Sequence, residues 1–455
     1  MEQFTLEQDL KVKYAIPEWL KCEQIKINTE KVKGRIETDY AVRDEPIALV
    51  NFGPSLNDTW EKVKDFKYVM SCSGSHKFLV EHGIIPTYHI DVDPREHKCL
   101  LIGTPQKETE YIIASTCHPK LFDLLADYNL KLWHIFDSTD DGLRLLPRGE
   151  WALTGGCSVG VRTLTMARFL GFRDLHVFGM DGCIKDDKSH AADHPKAPKK
   201  WGTIEYNGVT YFTSPPMLAA VKTLWHELDQ LKDIKIEFYG EGLVQAMFKD
   251  WKRKENQPET FIAFNRPELI SAEYCKLNSQ LHSDNLAYGV GGSRHAELVQ
   301  KMVKKMANES GFVSVLDYGC GKGYLGKSLP FPIYEYDPAI PGKTESPRPA
   351  DLVVCTDVLE HVEPDKLHFV LDDLARCVKQ SGFFVINTTT STKTLADGRN
   401  SHLIVKDKGW WMEKLLEHFV VAGLNSKGPC IFVIVAPKEG HKTAATVFKT
   451  AEASK

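Results

Sequence analysis

Asp317, Gly319, Gly321 and Gly323 alternate along one short stretch that follows the apolar run Val313-Ser-Val-Leu316. Glycine at alternate positions lets a backbone approach a ligand with no Cβ in the way. A helix beginning at Tyr324 presents unpaired N–H groups just behind the bend. With Cys320 and Tyr324, this strand–bend–helix can cradle a nucleotide, and the charge of Asp317 narrows the choice. A carboxylate at the strand end repels a pyrophosphate and attracts a cationic nucleoside. A second apolar run, Ile333-Tyr-Glu-Tyr, ends in Asp337, about 20 residues on, the spacing at which an acid reaches ribose hydroxyls. A third run, Asp351-Leu-Val-Val-Cys-Thr, leads into Asp357-Val358-Leu-Glu-His361-Val, an acidic turn at a helix start.

The succession of D-x-G-x-G-x-G, an acid at the next strand end and D-V-L-E-H-V resembles class I S-adenosylmethionine-dependent methyltransferases from about Ser271 to Pro437. The last segment is similar to that of small-molecule methyltransferases such as those of ubiquinone biosynthesis. The resemblance implies S-adenosyl-L-methionine as cofactor, with contacts from Asp317, Gly319, Cys320, Gly321, Gly323, Tyr324, Asp337, Asp357 and Val358. One departure stands out. Between Asp337 and Asp351 the chain is short and proline-rich, and the usual third strand, with the acid that contacts adenine, is not obvious. Methyl transfer from a sulfonium needs alignment above all, which can supply ~7–11 kcal/mol of the barrier. No catalytic triad is therefore required, and the acceptor is not disclosed. Substrate contacts are expected in Asn387-Thr-Thr-Thr390, between Asp397 and His402, and at Trp410 and Trp411, although packing at a helix start is the more ordinary use of two tryptophans. His402 is the candidate base for an accepting hydroxyl; a loop histidine capping a backbone carbonyl is the plain alternative. The glycine-rich stretch from Leu281 to Arg294 reads either as a lid or as a connecting loop.

The first half carries weaker patterns. A strand ends in Gly53-Pro54-Ser55, whose backbone and hydroxyl can hold a phosphate. Asp91 and Asp93 are two apart on one strand and point the same way, an arrangement that can hold Mg2+ or position a nucleophile. Gly155, Gly156 and Ser158 precede a helix and offer a second anion site. Asp181, a catalytic candidate, closes a strand at the end where α/β folds bind ligands. His190 is an acid–base or phosphate-contact candidate. His194, four residues on, adds a metal alternative, weakened by the proline after it. The G-P-S-L turn, the segment G-I-I-P-T-Y-H-I-D-V-D-P and the pattern T-G-G-C-S-V-G…A-R-F-L-G-F…G-M-D, taken together, resemble the MptE-like family. That family joins archaeal 6-hydroxymethylpterin diphosphokinases, which use ATP and Mg2+, to Maf flagellin glycosyltransferases, which use nucleotide-activated sugars. The resemblance implies nucleotide-phosphate binding by Gly53, Ser55, Asp91, Asp93, Gly155, Gly156, Ser158 and Asp181. It leaves open a CMP-sugar transferase, an ATP enzyme of the diphosphokinase kind, or a non-catalytic module that presents substrate to the methyltransferase.

Positioning these residues requires βα alternation, and the chain has it twice. The runs IALVNF, KYVMSCS, TYHIDVD, YIIAST, KLWHIF, DLHVFGMD and IKIEFYG alternate with amphipathic segments, as do SVLDYG, IYEYD, DLVVCTD, GFFVINT and CIFVIVAP. Such alternation implies parallel pairing. The expected fold class is α/β, two Rossmann-like α/β domains in tandem. The expected bounds are an N-terminal arm over 1–44, an MptE-like nucleotide-binding transferase over 45–250, a charged linker over 251–270, a methyltransferase over 271–440 and a flexible tail over 441–455. A formal net charge of -4 gives no electrostatic case for nucleic acid. Eleven cysteines without a C-x-x-C pair argue for reduced thiols and against structural zinc. No apolar stretch is long enough to span a bilayer and the first residues are charged throughout, so a cytoplasmic enzyme with a small-molecule or glycan substrate and a nucleotide donor is expected, with no membrane insertion.

Overall fold

The computed structural model describes residues 3–6, 8, 15–37, 41–137, 139–195, 201–251 and 263–438. Most of the expected linker and the whole expected tail lie outside these residues. The chain divides into two compact units. The first comprises Met1–Asp137 and Glu150–Asn265, the second Ser138–Gly149 and Arg266–Lys455. A short segment from within the expected 45–250 range therefore belongs to the second unit.

In the first unit the apolar runs become short, buried strands, as the interior of a parallel sheet requires. They are β1 (Ile47–Val50), β2 (Tyr68–Cys72), β3 (Tyr88–Asp91), β4 (Glu110–Ala114), β5 (Asn129–Ile135), β6 (Trp151–Leu153) and β7 (Asp174–Phe178). After them come β8 (Gly202–Tyr206) and β9 (Val209–Thr213), which pair as a separate hairpin, then β10 (Lys235–Phe238) and β11 (Ala263–Asn265). Among the described residues the main sheet runs β10-β7-β1-β2-β3-β4-β5-β6-β11, parallel except for β11 against β6. The chain leaves β1 toward β2, and β7 returns to its other edge. Such a reversal of winding opens a crevice at the strands' carboxyl ends. Within the expected N-terminal arm, the helix Glu18–Lys31 is tied down by Asn28, whose amide donates to the carbonyls of Ser115 (2.9 Å) and Cys117 (2.7 Å).

The second unit has β12 (Val315–Tyr318), β13 (Tyr334–Tyr336), β14 (Ala350–Thr356), β15 (Val378–Asn387), β16 (Phe419–Lys427) and β17 (Cys430–Pro437). Their order is β13-β12-β14-β15-β17-β16, parallel through β15 and antiparallel beyond it. Among the described residues no strand lies outside β13, so the proline-rich stretch after Asp337 contributes none to the sheet. The switch point falls between β12 and β14, at the carboxyl end where the glycine bend begins. The segment Ser138–Gly149 is held by arginines. Arg266 donates to the carbonyls of Arg144 (3.0 Å) and Leu146 (2.9 Å). Arg148 lies 3.0 Å from Asp373, on the helix Leu367–Cys377. Burial pushes the Arg266 guanidinium down to about 10.

Candidate functional site

In the second unit a cleft of about 540 Å³ opens over the carboxyl ends of β12, β13 and β14. Asp317, Gly319, Cys320, Gly321, Asp337, Asp357, Val358 and His402 all line it. The bend takes its shape from left-handed backbone at Gly319 (φ +78°), Gly321 (φ +50°) and Gly323 (φ +72°), conformations that cost other residues dearly. A Cβ on Gly319 would come within 2.4 Å of Val358 Cγ2, and one on Gly321 within 2.8 Å of the Gly289 carbonyl. Asp337 locks the bend to β13: its carboxylate accepts the N–H of Gly321 (2.9 Å) and of Ala339 (2.9 Å). Asp317 is buried, and among the described residues nothing donates to its carboxylate. Burial, then the charges of Glu335 and Asp337, push it up to about 7. Two expected contacts fall elsewhere. Gly323 and Tyr324 do not line the cleft; Tyr324 is 42% exposed with Lys327 over its ring.

Asp357 adopts φ +54°, rare for a residue with a side chain. Strain of this kind gathers at ligand sites. The turn that follows brings Glu360 and His361 beside His402, with one donor atom of each within 4.8 Å of the others. Glu360 and His361 carry no assignment in the sequence alone, because their partner lies about forty positions away. Glu360 is fully buried; one oxygen accepts the Asn387 N–H (2.9 Å), and the other has no partner among the described residues. Burial and the neighbouring Asp357 push it up to about 8. The Nδ1 of His361 sits 2.6 Å from the Ser401 carbonyl, and that of His402 2.6 Å from the Thr389 carbonyl. A carbonyl only accepts, so both Nδ1 atoms carry hydrogen, and in the neutral ring the lone pair is then on Nε2. Burial, then the neighbouring His402, lower His361 to about 3, which keeps it unprotonated at neutral pH. Two imidazole lone pairs and a carboxylate oxygen are a donor set able to hold a divalent cation.

In the first unit the expected residues come together in two groups. Gly53, Ser55 and Asp181 meet across the β1/β7 switch point. Asp181 accepts the Ser55 N–H (2.8 Å) and also bonds the Ser55 hydroxyl, while Gln245 donates to it at 3.3 Å. A Cβ on Gly53 would collide with the same carboxylate at 2.5 Å. Burial raises the Asp181 carboxyl, against these bonds. The aspartate assigned a catalytic part thus has its oxygens engaged in shaping the turn. An Asp181→Ala variant, leaving the buried Ser55 groups unpaired, is expected to lose roughly 1–3 kcal/mol of stability, read from the denaturant unfolding of this unit.

Asp91, Asp93 and His190 form the second group around a residue the sequence reading passed over, Lys98. Lys98 is buried, donates to Ser73 Oγ at 2.7 Å and lies 3.4 Å from Asp91 and 3.9 Å from Asp93. Asp91 also accepts the N–H groups of Val92 and Asp93. Asp93 is gripped by Arg95 through two bonds (2.9 and 2.6 Å), and Arg95 with Lys98 holds it below the usual carboxylate range despite burial. The two carboxylates expected to bind Mg2+ thus face protein cations. His190 stacks on His194 at 4.1 Å, and burial with Lys98 nearby lowers it to about 4. Ser158 caps the helix Val159–Phe169 by accepting the Val161 N–H at 3.3 Å, and Gly156 packs where a Cβ would strike Val161 and Thr223.

All eleven cysteines are free thiols. Among the described residues no helix is long and apolar enough to cross a membrane.

Residues 16–187 match the family described as 6-hydroxymethylpterin diphosphokinase MptE-like, and residues 291–421 match a methyltransferase domain family. No curated protein sequence matches the chain. Among solved structures the chain is similar to a Maf glycosyltransferase from Magnetospirillum magneticum AMB-1, at 18% identity and a TM-score of 0.39, covering 62% of this chain and 50% of that one. It thus spans about half the length of that relative. It is also similar to 1,6-didemethyltoxoflavin-N1-methyltransferase from Burkholderia thailandensis, a complex with S-adenosylhomocysteine (15% identity, TM-score 0.27, 39% of this chain and 94% of that one). A third is magnesium protoporphyrin IX methyltransferase from Synechocystis PCC 6803 (17% identity, TM-score 0.23, 32% and 83%). The chain joins an MptE-like domain in its first half to a methyltransferase domain in its second.

Proposed function

We propose that the second unit transfers a methyl group from S-adenosylmethionine to a small-molecule or glycan-type acceptor, and that the first unit handles a nucleotide-activated donor in the same or a related modification. The observation that carries the first part is the left-handed glycine bend tied by Asp337. It is a cradle that a single Cβ would fill, beside a buried carboxylate to which none of the described residues donates. Each Asp337 oxygen accepts one backbone N–H and retains capacity for a ribose hydroxyl. Asp317, in low dielectric, favours a cationic group beside it. The cofactor supplies a methyl group already activated on sulfur. The protein's work is to align the acceptor and exclude water. His402, with hydrogen on Nδ1, offers Nε2 to take the proton of an acceptor hydroxyl; with Glu360 and His361 the same atom can hold a divalent cation.

Calorimetric titration of the ligand-stripped full chain with S-adenosylhomocysteine tests this reading. Binding is expected, and Asp337→Ala is expected to weaken it at least ~10-fold, the worth of one charged hydrogen bond. No heat of binding, or an unchanged affinity in the variant, overturns the proposal.

For the first unit a second reading has a specific observation behind it. Asp181 is consumed by Ser55, and Asp91 and Asp93 by Lys98 and Arg95, which suits a module that binds a nucleotide without turning it over. Incubating the full chain with ATP or a CMP-sugar separates the two. Turnover supports a transferase or diphosphokinase; saturable binding without turnover supports the module.

A further inference from the structure

We infer a second, transition-metal site outside the cleft, formed by His368, Asp372, Glu417 and His418, of the zinc class. It does not depend on the methyltransferase reading. His368 and Asp372 lie one turn apart on the helix Leu367–Cys377 and share a face. Glu417 and His418 end the helix Lys408–His418. One donor atom each from His368, Glu417 and His418 lies within 4.8 Å of the other two. Asp372 reaches both imidazoles: Oδ2 is 3.4 Å from His368 Nε2 and Oδ1 is 3.1 Å from His418 Nδ1. Metal–ligand bonds of about 2.0–2.1 Å in a tetrahedron set neighbouring donors roughly 3.3 Å apart, so the two Asp372–imidazole separations match that spacing, and the other donors are close enough for side-chain rotation to bring them to it.

Two surroundings favour a cation there. The site sits at a helix carboxyl terminus, where the peptide dipoles present partial negative charge. It also borders a cleft of about 510 Å³ lined by Leu367, Leu371, Ile404 and Trp410 among others, which gives an ion access and a low-dielectric wall. His418 is 1% exposed, so its ring is fixed in place, while His368 and Glu417 reach it from the surface side. Glu417 pairs with Lys414 through one oxygen and has a second to give. Imidazole and carboxylate donors in this number select zinc-like ions over calcium or magnesium. The ion would clamp the end of one helix onto the face of the other.

The test uses the full-length His402→Ala variant, in which the cluster in the first cleft has lost a donor, titrated with Zn2+ and, for its visible spectrum, with Co2+. One equivalent is expected to bind, with the strong visible absorption of four-coordinate Co2+ and an upward shift in the unfolding temperature. Adding His368→Ala or Glu417→Gln, both at exposed positions that leave folding intact, is expected to cut Zn2+ affinity at least ~10-fold, the effect of losing even a partner of a metal ligand. The proposal is overturned if the His402→Ala protein binds neither ion, or if both added substitutions leave affinity and spectrum unchanged.

Discussion

A Gly319→Ala variant is expected to bind S-adenosylhomocysteine on the order of 100-fold more weakly than the parent, the equivalent of crowding by a single misplaced methyl group. Two causes combine. Alanine at φ +78° carries the left-handed penalty of ~1–2 kcal/mol. The new Cβ also lands 2.4 Å from Cγ2 of Val358, a β-branched side chain with little rotamer freedom. Val358 cannot yield without dragging Asp357, itself held at φ +54°, so the displacement spreads along the cleft wall. Gly342→Ala is the control. That residue has φ +81° and nothing within 4 Å of an added Cβ, so it bears the strain without the crowding and should bind as the parent does. Equal affinities for the two variants would mean that the bend does not shape the cofactor's seat.

The second large effect is a loss of stability with rising pH. Asp317 and Glu360 are pushed up to about 7 and about 8, from ordinary values of 3.8 and 4.5, chiefly by burial. A carboxyl whose folded value is raised favours the folded state fully while protonated. That contribution is complete below about pH 4 and drains away as pH climbs through 7 for Asp317 and 8 for Glu360. Each group contributes a slope of about 1.4 kcal/mol per pH unit across its window. Unfolding of the second unit, followed from pH 5 to pH 8 without ligand or metal, should show this fall. Glu360→Gln should remove one group's share of the slope while keeping shape and the bond to Asn387. An unchanged slope in that variant would show that Glu360 is already ionised in the folded state.

Much of this molecule was readable from residue order. Strands such as Ile47–Val50 and Ala350–Thr356 are buried on both faces and therefore write themselves as unbroken apolar runs. Elements without that character were passed over: β16 is exposed along most of its length, the β8/β9 hairpin forms its own small sheet, and β6 is only three residues long. The Asp317–Gly321 bend was legible because a chain needs glycine where backbone must be left-handed. The Glu360–His361–His402 meeting was not, since it depends on a loop returning across the sheet. The same limit explains Lys98. Its neighbours Asp91 and Asp93 suggest a metal when read alone, and only the fold shows an ammonium group buried against them.

The assignment of Ser138–Gly149 to the second unit has a practical consequence. No single cut yields both halves intact: a gene fragment beginning at Arg266 would lack Arg148, and Asp373 would lose one of the guanidinium groups around it. During synthesis that stretch leaves the ribosome long before the strands it accompanies. The early half must therefore finish its sheet with an excursion left waiting for the later one.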